Sequence, residues 1–483
     1  MLIMTRISLL AFGLFLVAVA PAGAAESSPP RPNIIFVLTD DLSANLLPYM
    51  SNVEAMEKEG ATFSNYFVTD SLCCPSRASI FTGKFPHNTG VFKNSGADGG
   101  LDGFNAHGND SQTFALALQQ AGYTTAMMGK YLNKYKPRRD GVAKGWNEWD
   151  VGGSAYDEFN YELNQNGRVV KFGHKPEEYL TDVLSNMANL FIRSHANGPF
   201  FLEVATFAPH RPYVPAPRDA DKFPKLVYER SAAYGARPDN AAPQWLKDIP
   251  PLDGAAIAQI DKVFRKRVQS VQAVDRMIGE IRAALAATGH TKDTFIVFSS
   301  DNGLHMGEYS LRPGKQTPFD IDIKVPLIVI GPGVRVGRVI DLFAENIDLC
   351  PTFTEIAGSS APTVPDGTSL LGLLTGDLLP ENWRDAVLIE HHHHEDSFLS
   401  DPDEQENSAG RPTTYEALRS QNSLYVEYAD NEISYYDLSR DPFELKNIAA
   451  TLSKDELSRL HQALIANEKC KGASCWAAQH VSQ

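Results

Sequence analysis

The chain predicts an α/β fold built on a mostly parallel sheet, and three observations carry that expectation. Four nearly continuous apolar runs have strand length: Asn33 to Leu38, Tyr123 to Met128, Phe200 to Ala205 and Thr294 to Phe298. Runs of this kind mark strands buried on both faces. Between the last two, Val268, Val271, Val274, Ile278, Ile281 and Leu285 recur at helical spacing, and Gly289 is placed to end that helix. Each run is followed by polar residues: Thr39-Asp40-Asp41, Gly129-Lys130, Pro209-His210-Arg211 and Asp301-Asn302-Gly303. Strands alternating with helices imply a parallel sheet, and groups at the C-terminal ends of its strands converge on one rim.

In chain order, the first residues have the pattern of an export signal over 1–24. Arg6 supplies the positive start, Ile7 to Ala20 the apolar core, and Ala22-Gly23-Ala24 a small-residue cleavage site. The apolar stretch is short for a membrane span and no stop-transfer run follows, so the expectation is an exported, periplasmic or secreted protein without a stable span. The formal net charge of -15 argues against broad nucleic-acid binding. An anionic substrate would therefore need a local pocket of cations set against the general field. Five cysteines are too few for a disulfide framework; Cys470 and Cys475 are close enough in sequence to pair after export, while Cys74 and Cys350 read as small buried hydrophobes. Cys73 is left as a free thiol.

Asn52 to Glu59 reads as a helix stopped by Gly60. The stretch Ser71 to Gly83 reads as a second, short helix. Pro75 suits its first turn, where no backbone donor is needed, and Gly83 suits a left-handed cap. Cys73 thus falls beside a helix N-terminus, which favours a bound anion, and Arg77 lies one turn on with a permanently charged fork. Asp40 and Asp41 would repel each other past a buried strand unless a cation or solvent offsets them. Asp301-Asn302-Gly303 is also a turn signal, yet together the two motifs supply three carboxylates and an amide. That donor set suits calcium in a wide cage or magnesium in a tight octahedral one.

The pattern Cys73-x-Pro75-Ser76-Arg77, followed by Thr82-Gly83, resembles the signature of type I sulfatases. The resemblance runs from about Pro32 to Asn447 and implies an alkaline-phosphatase-like sandwich with a large central sheet. It also implies a small C-terminal α+β subdomain with an antiparallel sheet, so that 25–379 is the catalytic unit and 380–483 completes the fold. By the same resemblance Cys73 is oxidised by a formylglycine-generating enzyme to an aldehyde whose hydrate attacks sulfur, with the second hydroxyl later expelling sulfate. It further implies that Asp40, Asp41, Asp301, Asn302 and the modified residue 73 hold the ion, with calcium favoured. Arg77 is then the electrostatic partner of the nucleophile, Lys130 and Lys315 bind sulfate, and His210 binds sulfate or protonates the leaving alcohol. His305 is a further substrate contact.

One departure stands out. Many sulfatases carry Gly-Lys-Trp-His where this chain has Gly129-Lys130-Tyr131-Leu132-Asn133, so the histidine at that spacing is missing and Asn133 or His305 is left to replace it. This variant, with Cys73-Cys74-Pro75 and Lys84-Phe85-Pro86-His87-Asn88, looks closest to the glucosamine-6-sulfatase branch. The expected substrate is a sulfated small molecule or a sulfated glycan. Two other readings stay open: a phosphate or phosphonate ester hydrolase on the same scaffold, and a non-catalytic binder of sulfated sugars if Cys73 is never oxidised.

Later elements are read from pattern. Ile323 to Gly331 is expected to return as a strand, and Pro365 to Leu379 as loops with a short helix. Val387 to Glu390 opens the smaller unit, and Leu424 to Tyr428 with Glu432 to Leu438 forms a hairpin. His391 to His394 and the acidic, Ser-rich Glu395 to Arg411 are expected to be a mobile loop.

Overall fold

The computed structural model describes residues 31–376, 380–393 and 405–481. The expected export signal over 1–24, His394 and Glu395 to Glu404 lie outside the described residues. In chain order the strands are β1 (Asn33–Thr39), β2 (Ala61–Phe63), β3 (Tyr66–Phe67), β4 (Thr124–Lys130), β5 (Glu148–Gly152), β6 (Glu162–Gln165), β7 (Arg168–Lys171) and β8 (Phe200–Ala205). There follow β9 (Thr294–Ser300), β10 (Leu327–Ile330), β11 (Arg338–Ile340), β12 (Ala344–Glu345), β13 (Ala386–His391), β14 (Tyr415–Ser420), β15 (Ser423–Tyr428) and β16 (Ile433–Asp437).

Ten strands form one sheet in the order β11-β2-β10-β9-β1-β8-β4-β5-β6-β7. Its centre, β9-β1-β8-β4-β5, is parallel throughout. The strands alternate as a sheet covered on both faces must. Ile34, Phe36, Phe201 and Met127 enter one core, under the helices Cys73–Thr82 and Leu349–Ile356. Ile35, Val37, Leu202 and Met128 enter another, packed by the helices Leu180–Ser194 and Gly254–Thr288. The long helix begins 14 residues before the periodic stretch, where the Asp253 side chain caps the Ala256 N–H at 2.7 Å, and ends at Gly289 with φ 82°.

The strand expected over 323–331 is shorter, Leu327–Ile330, and is antiparallel to its neighbours. Ile323 closes a helical turn, and β10 lies antiparallel to both β9 and β2. An apolar run shows that a segment is buried, but not its direction.

The small antiparallel sheet β13-β14-β15-β16 includes the expected hairpin. Val387, Ile389, Ala417 and Val426 pack toward the main core, while Leu388, Leu418 and Tyr425 pack under the helix Lys454–Glu468 and its Leu464. Arg384, just before β13, is fully buried and pairs with Glu345 (3.1 Å) and Asp348 (2.7 Å). Cys470 and Cys475 are joined by a disulfide; Cys73, Cys74 and Cys350 are buried thiols. Gln405 to Arg411 is ordered against the main body: the Gln405 amide bonds both the N–H and the carbonyl of Lys315. Among the described residues, no helix is long and apolar enough to cross a membrane.

Candidate active site

Four strand ends and one helix start meet where the sequence motifs predict. The helix Cys73–Thr82 follows Leu72 in extended conformation and ends at Gly83 with φ 69°, so Cys73 opens its first turn. The Cys73 thiol donates to Asp40 Oδ1 at 3.2 Å and accepts from Lys315 Nζ at 3.0 Å. Asp40 and Asp41 follow β1, with Asp41 in the left-handed region at φ 64°, which an aspartate tolerates better than most residues. That turn is held from outside the cluster by the buried Arg267 of the long helix, whose guanidinium donates to the Asp41 carbonyl.

Two glycines let the strand ends come this close. Gly129 has φ 99°, and a Cβ there would lie 1.9 Å from the Ala205 carbonyl, so β4 can deliver Lys130 only with glycine before it. A Cβ on Gly303 would lie 2.2 Å from the Ile321 carbonyl. The Asn-Gly pair is therefore a close backbone approach as much as a turn.

Three buried carboxylates are matched by three buried cations. Lys130 Nζ lies 2.6 Å from Asp40, Lys315 Nζ 2.7 Å from Asp41, and Arg77 Nε 2.9 Å from Asp301. Arg77 also donates from Nη1 to the Lys130 carbonyl at 2.9 Å, bridging the ends of β9 and β4. Burial pushes the Asp40 carboxyl up to about 6 against the pull of Lys130. Burial acts the same way on Asp301, but Arg77, Lys130 and Lys315 outweigh it and hold that carboxyl at about 2. Asp40 and Cys73 hold Lys130 well above its ordinary value although burial opposes the charge.

Ligand atoms of Asp40, Asp41, Cys73 and His210 all lie within 4.8 Å of one another. Asp301 and Asn302 join through Asp41, whose N–H donates to Asp301 Oδ1 (3.1 Å) and whose Oδ1 accepts from Asn302 Nδ2 (2.7 Å). Asn302 Oδ1 is buried and accepts no hydrogen bond among the described residues. An orphaned amide oxygen among carboxylates fits a hard cation.

His210 stands nearer to the metal-type cluster than the sequence suggested. Its Nδ1 donates to the Arg211 carbonyl at 2.6 Å, and its Nε2 faces Asp41 Oδ2 at 3.6 Å. His305 lies in the wall instead. Both its ring nitrogens are engaged, with Asp322 at 2.8 Å and the Ala409 carbonyl at 2.9 Å, and its side chain has no exposed surface. The Asp322 charge holds it above its ordinary value in spite of burial. The ring is therefore held by the protein on both sides. Asn133 is buried at the end of the Lys130 segment, where its carbonyl accepts from Leu101.

Two buried acids were missed by sequence reading. Asp70, three residues before Cys73, has no partner for either carboxylate oxygen among the described residues, and burial with the nearby Glu390 charge holds it well above its ordinary value. Glu203 sits in the middle of β8 opposite Phe36 and Met127, on the face covered by the helix Cys73–Thr82. Its two oxygens have no hydrogen-bond partner among the described residues, and neither has Arg77 Nη2. The one available signal was a lone glutamate in an apolar run, Phe200 to Ala205.

Burial pushes Glu203 up to about 8, with Arg77 opposing. The folded state therefore holds a proton that the unfolded chain releases near the ordinary glutamate value, and this contribution to stability declines as pH rises through that window toward 8. Glu203→Gln is expected to flatten part of the fall in melting temperature between pH 5 and 8, gaining about 1–3 kcal/mol at the alkaline end. Melting curves parallel to wild type across that range would contradict it.

Comparisons with known proteins bear on the family and the fold. The Sulfatase family profile matches residues 32–359, and a profile described as N-sulphoglucosamine sulphohydrolase, C-terminal, matches 307–470. The N-acetylglucosamine-6-sulfatase of Homo sapiens is 34% identical over 92% of this chain and 86% of its own. The N-acetylglucosamine-6-O-sulfatase of Bacteroides thetaiotaomicron is 26% identical over 88% of this chain and 84% of its own. A solved protein in complex with its substrate D-glucosamine-2-N,6-O-disulfate superposes with a TM-score of 0.76, covering 91% of this chain and 98% of its own at 24% identity. At that identity it speaks to the fold, which is alkaline-phosphatase-like as expected. With its profile covering most of the chain and relatives a third identical along nearly its whole length, the chain belongs to the sulfatase family, enzymes that hydrolyse sulfate esters.

Proposed function

We propose that this sulfatase acts on sugar sulfate esters of the glucosamine 6-sulfate type, with Cys73 matured to formylglycine and a divalent cation, calcium before magnesium, at the carboxylate cluster. The observation that carries the reading is the Cys73 thiol, which lies between an aspartate and a lysine of the same buried cluster. The names of the relatives support the substrate class.

Asp40, Asp41, Asp301 and Asn302 would hold the cation, which when bound supplies a Lewis acid for a sulfate oxygen. Formylglycine at position 73 supplies a hydrated aldehyde as nucleophile. The remaining work falls to ordinary side chains. Lys130 and Lys315, paired with Asp40 and Asp41, present ammonium groups to sulfate and stabilise charge that develops during transfer. Arg77 anchors Asp301 and the end of β4, so the sulfate-facing lysine is held from behind. His210, its Nδ1 committed to a carbonyl, keeps Nε2 as the atom that carries a proton toward the leaving alcohol.

In the same reading residues 1–24 are an export signal, 25–379 the catalytic unit and 380–483 the subdomain that completes it. A separate formylglycine-generating enzyme acts on Cys73, and the mature enzyme works in the periplasm or outside the cell.

The test is sulfate release by purified, matured protein from 6-O-sulfated N-acetylglucosamine and an aryl sulfate, with the matching aryl phosphate as comparator. Chelation is expected to abolish turnover and lower the melting temperature, and calcium to restore both better than magnesium. Faster hydrolysis of the phosphate ester, or turnover indifferent to chelator, would refute the reading.

A further inference from the structure

Arg267 lies in the middle of the helix Gly254–Thr288, flanked on it by the core residues Phe264, Val268 and Val271, and has no exposed surface. Its guanidinium is permanently charged. Among the described residues it makes no ion pair, and its Nε has no hydrogen-bond partner. A cation buried in this way costs stability, because no counter-charge in contact offsets its desolvation. Its presence calls for an account in terms of what it touches.

The fork touches both turns of the candidate cation site. Nη2 donates to the Asp41 carbonyl, and Nη1 to the Met306 sulfur at 3.1 Å. Asp40-Asp41 follows β1, and Met306 lies four residues beyond Asn302 in the segment that follows β9. β1 and β9 are paired only as far as Thr39 and Ser300, so the ligand-bearing residues stand just past the end of the ladder. Asp41 takes up φ 64° there, and Arg267 is the one donor to its carbonyl among the described residues. Met306 is braced in turn by Glu308, which accepts the Met306 N–H at 2.6 Å and the Tyr228 hydroxyl at 2.5 Å. A carboxylate ligand is only as well placed as the backbone that carries it, and a cation site needs that placement to within about 0.5 Å.

We propose that Arg267 is a positioning residue for the divalent cation. By bridging the Asp41 carbonyl to Met306 it fixes the two ligand-bearing turns against each other, and so raises affinity for the ion without touching it. This rests on the cation reading above and adds a determinant from a helix that contributes no ligand. Charge and geometry predict opposite results. An arginine acting by charge alone would repel the ion, and its removal would tighten binding. A strut acts the other way, as groups behind metal ligands do.

The experiment is a calcium titration of purified, matured protein freed of ions by chelator, read by calorimetry and by melting temperature. Arg267→Met removes the charge and the donors but keeps an apolar stem, whereas Arg267→Lys keeps the charge and loses the fork. The Kd for calcium is expected to rise about tenfold or more in Arg267→Met, and by a smaller factor in Arg267→Lys. In chelator, Arg267→Met is expected to melt no lower than wild type, since an uncompensated buried charge is gone. Its loss then shows as a smaller rise in melting temperature on adding calcium. Calcium bound by either variant as tightly as by wild type would overturn the positioning role. So would a melting temperature lowered equally with and without calcium, the mark of a merely structural residue. Wild type that binds no calcium would overturn the cation reading together with this inference.

Discussion

Cys73→Ala and Cys73→Ser are each expected to lower kcat for sulfate-ester hydrolysis by about 10⁴-fold or more, with the unfolding transition little changed. The site permits this test because Cys73 is buried beside groups that need no bond from it to stay in place. Lys315 keeps Asp41, and Asp40 keeps Lys130. The serine variant carries the sharper information. A serine hydroxyl able to attack sulfur would form an ordinary sulfate ester with no second hydroxyl to expel the group. Serine protein would then release at most one equivalent of alcohol and accumulate a sulfated residue 73, visible as a mass increase. Sustained turnover by Cys73→Ser would exclude the formylglycine route.

Replacing Arg77 by Met is expected to cost about 3–5 kcal/mol of folding stability, besides most of the activity, because it leaves Asp301 charged and buried without its nearest cation. Both side chains have no exposed surface, and their contact at 2.9 Å ties the Cys73–Thr82 helix to the end of β9. The double variant Arg77→Met with Asp301→Asn removes both charges and is expected to recover part of the stability but none of the activity. Denaturant unfolding of the single and double variants measures the coupling directly. Additive losses would show that the pair is not a unit.

The strand-end motifs, the short helix opening at Cys73 and capped by Gly83, and the antiparallel hairpin near the C-terminus were all legible in the sequence. Each depends on neighbours a few residues away: an apolar run, a proline that needs no donor, a glycine that accepts a left-handed turn. The direction of β10 was not legible, since burial leaves the same apolar pattern on a strand running either way. Nor was the order in Gln405 to Arg411, where an acidic and polar composition is offset by hydrogen bonds to Lys315 from far along the chain. The contacts of His305, beside the Asp-Asn-Gly turn, were not legible either: its ring meets Asp322 and the Ala409 carbonyl.

By itself, then, the order of residues determined which groups stand at the ends of which strands, and through them the family and its chemistry. Only the tertiary structure decided how the charges pair: Lys130 with Asp40, Lys315 with Asp41, Arg77 with Asp301. It also decided that Glu203 lies on the face beneath the Cys73–Thr82 helix with no hydrogen-bond partner among the described residues, and that the cations of 130–139 line one groove. The reason is the range of the forces involved. Backbone preferences act between near neighbours in sequence, whereas electrostatic pairing and burial depend on distances through space between segments as far apart as residues 41 and 315.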